Sequence, residues 1–491
     1  MSKILFKFIR CFYIIGFLLT NLNLYGQTQV PRIEPSACPV EIPGGVKAEC
    51  KILFVKENRA KTDSKTIKVP FIIIKSTAPN PAPDPILYTS GGPGASSLGR
   101  VRGAKNLTPF TKERDYIIFE QRGTLFAEPN LQCPEVDHAL HKNWELNLNA
   151  KKARRNEVQA AKICRDRLIR DGVDLAAYTS AASAADIEDL RRGLGIKEIN
   201  LYGISYSTRL MLNYIRSYPD RVRSVILDSV LPTSVNWDES DVDNVMNSLD
   251  FLVGNCASDA KCSATYPQLK EQLFAVIKAA NKKPIRVDAV KDGKIFPIYF
   301  DGNMVFDFVY NLLEDNGALP TIPAIISALN KGSYEALKPM AESNLSNESF
   351  IWGMRYSVWC GEEMPFQHRR LINAQAAKYP EIRGFKVQGA LPDICKVWNV
   401  PAADAIENLP VKSSIPALIF AGSYDPDTPP AWGKLVASWF PNSFFYEVKT
   451  ATHGVNNNRC TFVDITASFI IDPANRPNDK CLANLPVIEF K

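Results

Sequence analysis

Ile199-Asn200-Leu201-Tyr202-Gly203-Ile204-Ser205-Tyr206-Ser207-Thr208-Arg209-Leu210-Met211-Leu212-Asn213-Tyr214-Ile215 is the stretch from which the rest of the chain can be read. It begins with a short apolar run, and Leu210, Met211, Tyr214 and Ile215 then recur at helical spacing before Pro219. Between them a serine stands where a strand turns into a helix. A sharp turn of that kind exposes the hydroxyl, while the helix N-terminus offers backbone N–H groups to a developing anion. The usual form of the turn, G-x-S-x-G, ends in glycine. Here Ser207 takes that position.

Short apolar runs bounded by turn residues recur on either side, at 86–88, 116–119, 225–227, 417–421 and 444–448. Each suits a strand buried on both faces, and alternation with helical segments such as that of Ile187, Leu190 and Leu194 predicts an α/β fold with a mostly parallel sheet. Residues 52–56 and 66–75 predict an antiparallel pair at one end. The alternating prolines Pro79, Pro81, Pro83 and Pro85 predict an exposed extended loop. Strand patterns stop after residue 227 and resume only near 417. The helical patterns at 242–253, 269–280 and 304–313 therefore predict an insertion over the carboxyl edge of the sheet, where open α/β folds bind ligands. The expected division is a catalytic domain over 27–232 and 409–491, interrupted by a helical cap over 233–408.

A serine nucleophile needs a base. Of the four histidines only His453 follows the last strand, as a triad running serine, acid, histidine along the chain requires. His138 and His141 share one helical face, as a solvated surface or a weak metal pair, and His368 beside Arg369 and Arg370 reads as a surface residue. The acid is expected in Gly422-Ser423-Tyr424-Asp425-Pro426-Asp427-Thr428-Pro429. Asp425 is nearest the strand end, where it can hold an imidazole. Asp427 could instead cap the following helix, and Asp228, ending an earlier strand, is a second conceivable acid position. One oxyanion donor is the N–H of Tyr206, and the other is expected from the glycine loop Ser90-Gly91-Gly92-Pro93-Gly94. That loop lacks the Lys and the glycine spacing of a phosphate-binding loop, and the chain has no H-E-x-x-H motif. No metal or cofactor is expected.

The chain has 491 residues, 46% hydrophobic and 22% charged, as a globular protein with a large core should. Lys3, Lys7 and Arg10 precede an apolar run at 11–19, and Leu24-Tyr25-Gly26 ends in a small residue. Residues 1–26 therefore read as a cleaved secretory signal peptide, too short in its apolar part to span a bilayer, and no stable membrane anchor is expected after cleavage. Its removal takes the net charge from +6 to +3 and the cysteines from eleven to ten. With no basic block, nucleic acid is excluded as a partner. An even number of cysteines outside the cytosol predicts disulfides. Sequence alone leaves their pairing open, and chain neighbours suggest 38 with 50, 133 with 164, 256 with 262, 360 with 395 and 460 with 481.

Taken together, Tyr88-Thr89-Ser90-Gly91-Gly92-Pro93-Gly94, Glu120-Gln121-Arg122-Gly123-Thr124, Asn200-Leu201-Tyr202-Gly203-Ile204-Ser205-Tyr206, Leu227-Asp228-Ser229-Val230-Leu231-Pro232, Asp425-Pro426-Asp427-Thr428-Pro429 and His453-Gly454 resemble the secreted tripeptidyl aminopeptidase and proline iminopeptidase group of α/β-hydrolases. The likeness runs in order over residues 86–481. It implies a serine exopeptidase with a helical cap, acting on peptides with a free N-terminus, and the signal peptide places it in the periplasm or outside the cell. Ser205 would be the nucleophile, Asp425 and His453 its partners, and the Gly92 and Tyr206 N–H groups the oxyanion hole, with a cis Gly92-Pro93 bond. It also implies that an acidic residue just after Cys360 holds the substrate ammonium, Glu362 first and Glu363 as the alternative. Trp359 and Trp398 could line the pocket or belong to the core. The chain departs from the group at Ser90 for His, Glu120 for Asp, Leu125 for Gly and Ser207 for Gly. An ester hydrolase with the same triad and a catalytically silent binding protein on the same scaffold remain the alternatives.

Overall fold

The structure, a computed structural model, describes residues 30–346, 350–383, 385–386, 392–456 and 458–491. The expected signal peptide lies outside them. Nine strands form one sheet in the order β1-β2-β3-β5-β4-β6-β7-β10-β11. The strands β1 (Arg32–Pro35), β2 (Ala48–Lys56) and β3 (Thr66–Ile74) are antiparallel, and β3 runs antiparallel to β5 (Tyr116–Phe119). From β5 onward, β4 (Ile86–Thr89), β6 (Ile199–Ser205), β7 (Val222–Val230), β10 (Ala417–Gly422) and β11 (Ser443–Val448) are all parallel.

Burial on both faces explains why the parallel strands read as continuous apolar runs. Leu87, Ile117, Leu201, Leu227 and Ile419 point into a cluster with Leu210, Met211 and Tyr214 of the helix Tyr206–Ser217. On the other face Tyr88, Ile118, Tyr202, Ile226 and Phe420 pack with Val101, Phe110 and Ile465. The chain therefore has the α/β-hydrolase architecture, a mostly parallel sheet between helical layers.

Between β7 and β10 the chain leaves the sheet. It forms the helices Asp241–Ser258, Leu269–Lys282 and Gly302–Glu314, as the periodicity predicts, and also Ile322–Asn330 and Trp352–Val358, among others. A hairpin, β8 (Ile285–Lys291) with β9 (Lys294–Phe300), was not anticipated. It stands outside the main sheet with only one partner per strand, and its β8 alternates buried and exposed residues. The inserted segment shares one apolar cluster with Leu131, Val136, Ala161 and Leu168 of the region before β6. The five disulfides pair as chain neighbours suggest, Cys38–Cys50, Cys133–Cys164, Cys256–Cys262, Cys360–Cys395 and Cys460–Cys481. Among the described residues no helix is long and apolar enough to cross a membrane.

Candidate active site

Ser205 ends β6 with φ +58° and ψ −134°, a backbone conformation that a serine adopts only when its surroundings enforce it. The enforcement is visible. A Cβ on Gly203 would lie 2.7 Å from the Ser207 carbonyl oxygen, and one on Gly91 would lie 2.7 Å from Ser205 Cβ and 3.1 Å from its Oγ. The elbow thus exists because two glycines let β6, the helix and the glycine loop approach this closely. The glycine loop carries the expected cis Gly92–Pro93 bond, and Gly92 sits at φ +111°.

The histidine and its acid arrive on two later loops. Asp425, in the turn after β10, has a fully buried side chain and accepts from His453 Nδ1 at 3.0 and 3.1 Å. It also accepts from the N–H groups of Asp427 and Thr428, each at 2.8 Å, and from Thr428 Oγ1 at 2.7 Å. Burial alone would raise the Asp425 pKa, but the facing His453 and these donors hold it below the usual carboxylate range. Burial alone would lower the His453 pKa. Asp425 overrides that, with Asp427 and Asp228 adding, and raises it to about 9. A Cβ on Gly454 would lie 3.2 Å from Ile204 Cδ1, so the His453 loop comes down beside the turn that bears Ser205. Ser205, Gly92 and His453 are each partly exposed.

The other acids have different work. Asp228 accepts from the N–H groups of Val455 and Asn456 at 2.9 and 3.0 Å, and Gly454 N–H donates to Ser229 Oγ at 2.9 Å. The end of β7 therefore holds the backbone just after His453. Asp427 caps no helix: the helix Pro430–Ala437 has Pro429 at its N-cap and no side-chain cap bond. Instead Asp427 accepts from Tyr310 OH at 3.0 and 3.1 Å, and polar atoms of Glu314, Asp427 and His453 lie within 4.8 Å of one another. Burial and then the Glu314 carboxylate push the Asp427 pKa well up.

Glu362 and Glu363 are both buried. Glu362 accepts from Ser180 N–H and Ser180 Oγ, both at 2.6 Å, at the start of the helix Ser180–Gly193, and Ser180 Oγ shares a 2.7 Å hydrogen bond with Tyr206 OH. Glu363 accepts from Arg209 Nη1 at 2.7 Å and from Trp237 N–H at 3.1 Å. Burial raises both to about 7, in Glu362 helped by Glu407 and opposed by Arg209. Trp359 and Trp398 are core residues: their indole N–H groups donate to Asp238 at 3.3 Å and Ser357 at 3.1 Å. The remaining histidines lie elsewhere. His138 is exposed, His141 bonds the Asn344 carbonyl, and His368 meets Glu239 at the surface.

Two contributors were not anticipated. Thr428 gives Asp425 two donors, and the D-x-x-T spacing was its signal, since a threonine three residues on can return both N–H and hydroxyl to a carboxylate. Arg355 donates to Gly92 O at 2.5 Å from the inserted segment, 263 residues away, and nothing local in the sequence marks it.

A strained strand-to-helix serine, an acid–histidine pair and a glycine loop on a mostly parallel sheet together make up an α/β-hydrolase architecture, and that is the fold of this chain. Residues 84–261 match the model described as alpha/beta hydrolase fold, and residues 385–481 match the one described as TAP-like protein. The chain is similar to peptidases. The serine protease Hip1 of Mycobacterium tuberculosis (strain ATCC 25618 / H37Rv) is 22% identical over 427 residues, 79% of this chain and 78% of that protein. Tripeptidyl aminopeptidase of Streptomyces lividans is 26% identical over 259 residues, 48% of this chain and 47% of that protein. Proline iminopeptidase of Neisseria gonorrhoeae is 25% identical over 161 residues, 32% of this chain and 37% of that protein.

Proposed function

We propose that this chain is an exported serine peptidase that cleaves peptides near their free N-terminus through an acyl-enzyme on Ser205. The observation that carries it is the Asp425–His453 pair, on loops whose Gly454 comes down against Ile204, next to a serine held at positive φ. His453 Nε2 takes the Ser205 hydroxyl proton as Oγ bonds to the scissile carbonyl carbon. The N–H groups of Gly92 and Tyr206 hold the resulting oxyanion, and Asp425 stabilises the imidazolium. Collapse breaks the C–N bond, and His453 passes its proton to the leaving amine. Water then attacks the acyl group with His453 again accepting the proton, which releases the N-terminal fragment as an acid and restores Ser205.

Residues 27–232 and 409–491 would form the catalytic domain and 233–408 the cap that selects the substrate. Glu362 is the better candidate for the substrate ammonium. Glu363 is neutralised by Arg209, whereas Glu362 is hydrogen-bonded by the neutral Ser180 and linked through it to Tyr206, next to the nucleophile. Export is supported by the five disulfides, which belong to an oxidising compartment.

An active-site-directed fluorophosphonate tests the nucleophile: wild type is expected to label and Ser205→Ala not to. Digestion of paired free and N-blocked peptides, read by mass spectrometry, tests the rest. Cleavage of the free members alone, with the preference weakened in Glu362→Gln, is the expected result. Turnover of esters with no peptide cleaved would overturn the peptidase assignment, and absence of labelling would overturn the serine mechanism.

A further inference from the structure

Resting on the Ser205 mechanism above, we propose that Arg355 is a positioning residue that sets the oxyanion-hole glycine from within the inserted segment. Arg355 lies on the helix Trp352–Val358 and is 1% exposed. Its Nη1 donates to the Gly92 carbonyl at 2.5 Å, and its guanidinium stacks on Trp359, 3.9 Å from the ring centroid. The same segment meets the loop a second time. Ile351 N–H donates to Gly94 O at 3.2 Å, and a Cβ on Gly94 would lie 2.7 Å from Ile351 O. Residues 351–355 therefore grip the loop at both Gly92 and Gly94.

The grip matters because of what Gly92 lacks. A glycine at φ +111° has no side chain to lodge in a neighbour and the flattest backbone landscape of any residue, so its N–H direction must be fixed from outside. Gly91 is pinned on one side by Ser205. Holding the Gly92 carbonyl on the other side leaves the Gly92 N–H between two anchored points. A charged donor does this more firmly than a neutral one, and a planar guanidinium stacked on an indole is itself held in direction. Burial draws the Arg355 pKa down to about 10, against the pull of Asp238, Tyr310, Asp427 and Glu363, so the group stays charged at neutral pH. Neither matched family segment reaches position 355.

The test compares wild type, Arg355→Lys, Arg355→Gln and Trp359→Leu, each counted by fluorophosphonate titration of Ser205. Rates are measured on one cleavable peptide and one small acyl ester, with thermal melts alongside. The expected result is a fall in kcat per titrated site of about 10- to 100-fold in Arg355→Gln, approaching the loss of an oxyanion donor. KM should move little, and the ester should suffer as much as the peptide, because both pass through the same oxyanion. Arg355→Lys should recover part of the rate. Trp359→Leu, which frees the guanidinium but keeps it, should fall in the same direction and decides the matter if Arg355→Gln does not fold. A lowered melting temperature with unchanged kcat per titrated site would overturn the proposal in favour of a scaffold role. A raised KM on the peptide alone would overturn it in favour of substrate binding. Wild type that neither labels nor turns over would instead remove the Ser205 mechanism on which it rests.

Discussion

The hydroxyl of Ser207 fills the place where the elbow usually has glycine, and it is used rather than merely tolerated. It lies 2.7 Å from Thr89 O at the end of β4 and 2.8 Å from Ile204 O, and it accepts from Ile204 N–H at 2.8 Å. One side chain thus ties the nucleophile turn to the strand that leads into the glycine loop. Ser207→Ala should cost about 1–2 kcal/mol in chemical denaturation, because a buried carbonyl loses its donor. Labelling of Ser205 should persist in that variant; its loss would mean that the hydroxyl serves catalysis directly.

The Asp425–His453 pair makes a second prediction at this scale, with opposite signs for activity and stability. A base raised to about 9 is mostly protonated at neutral pH, so kcat/KM should climb as pH rises well above 6.5. An ascending limb centred at or below 6.5 would contradict the ion pair. The stability that His453 contributes is complete below its unfolded value of 6.5 and is lost as pH rises through about 9. The unfolding free energies of wild type and His453→Ala should therefore converge between pH 6.5 and 10. Asp425→Asn should cost kcat about 10⁴-fold, through the wrong imidazole tautomer.

Elements decide where those residues meet. The end of β7 serves the histidine loop: Asp228 takes the N–H groups of Val455 and Asn456, one on each carboxylate oxygen. Asp228→Asn would turn an amide NH₂ toward one of those donors. The expected outcome is a loss of about 1–3 kcal/mol with a fall in kcat larger than any change in KM. Equal kinetics would show that the loop is held well enough without Asp228. The strands, the elbow and the helix after it were legible locally, because a strand buried on both faces and a helix with one apolar stripe each leave a periodic trace. The hairpin β8–β9 left a weaker trace, since its β9 mixes exposed, half-buried and buried residues without regular alternation.

At the scale of the whole molecule, cross-links and the inserted segment set what can move. In the chain-entropy picture, the Cys360–Cys395 bridge, with a sequence separation of 35, stabilises by roughly 3–4 kcal/mol, and Cys256–Cys262, separated by 6, by roughly 2. Replacing each pair by serines should therefore lower the melting temperature more for the first. The reverse order would show that native packing rather than loop closure dominates. The inserted segment also reaches the loop after β10 directly. Ser248 Oγ donates to Tyr424 O at 2.6 Å and Asn244 to Asp427 O at 3.3 Å, so the loop bearing Asp425 is held from both sides.

The sequence by itself determined the parallel sheet, the strand-to-helix turn at Ser205 and the place of His453 after the last strand, because burial, periodicity and chain order are all written along the chain. The neighbour-to-neighbour disulfides were suggested there too, though their pairing was left open. Tertiary structure decided how the acids divide the work. A place nearest the strand end already favoured Asp425 over Asp427 and Asp228, and the folded contacts add what each carboxylate does: Asp425 faces His453, Asp427 faces Tyr310 and Asp228 caps the loop beyond. Tertiary structure likewise turned Glu363 toward Arg209 and Arg355 toward Gly92, contacts that span 154 and 263 positions. Such pairings follow from the packing of the inserted segment against the sheet edge, and no local pattern of side chains encodes that distance.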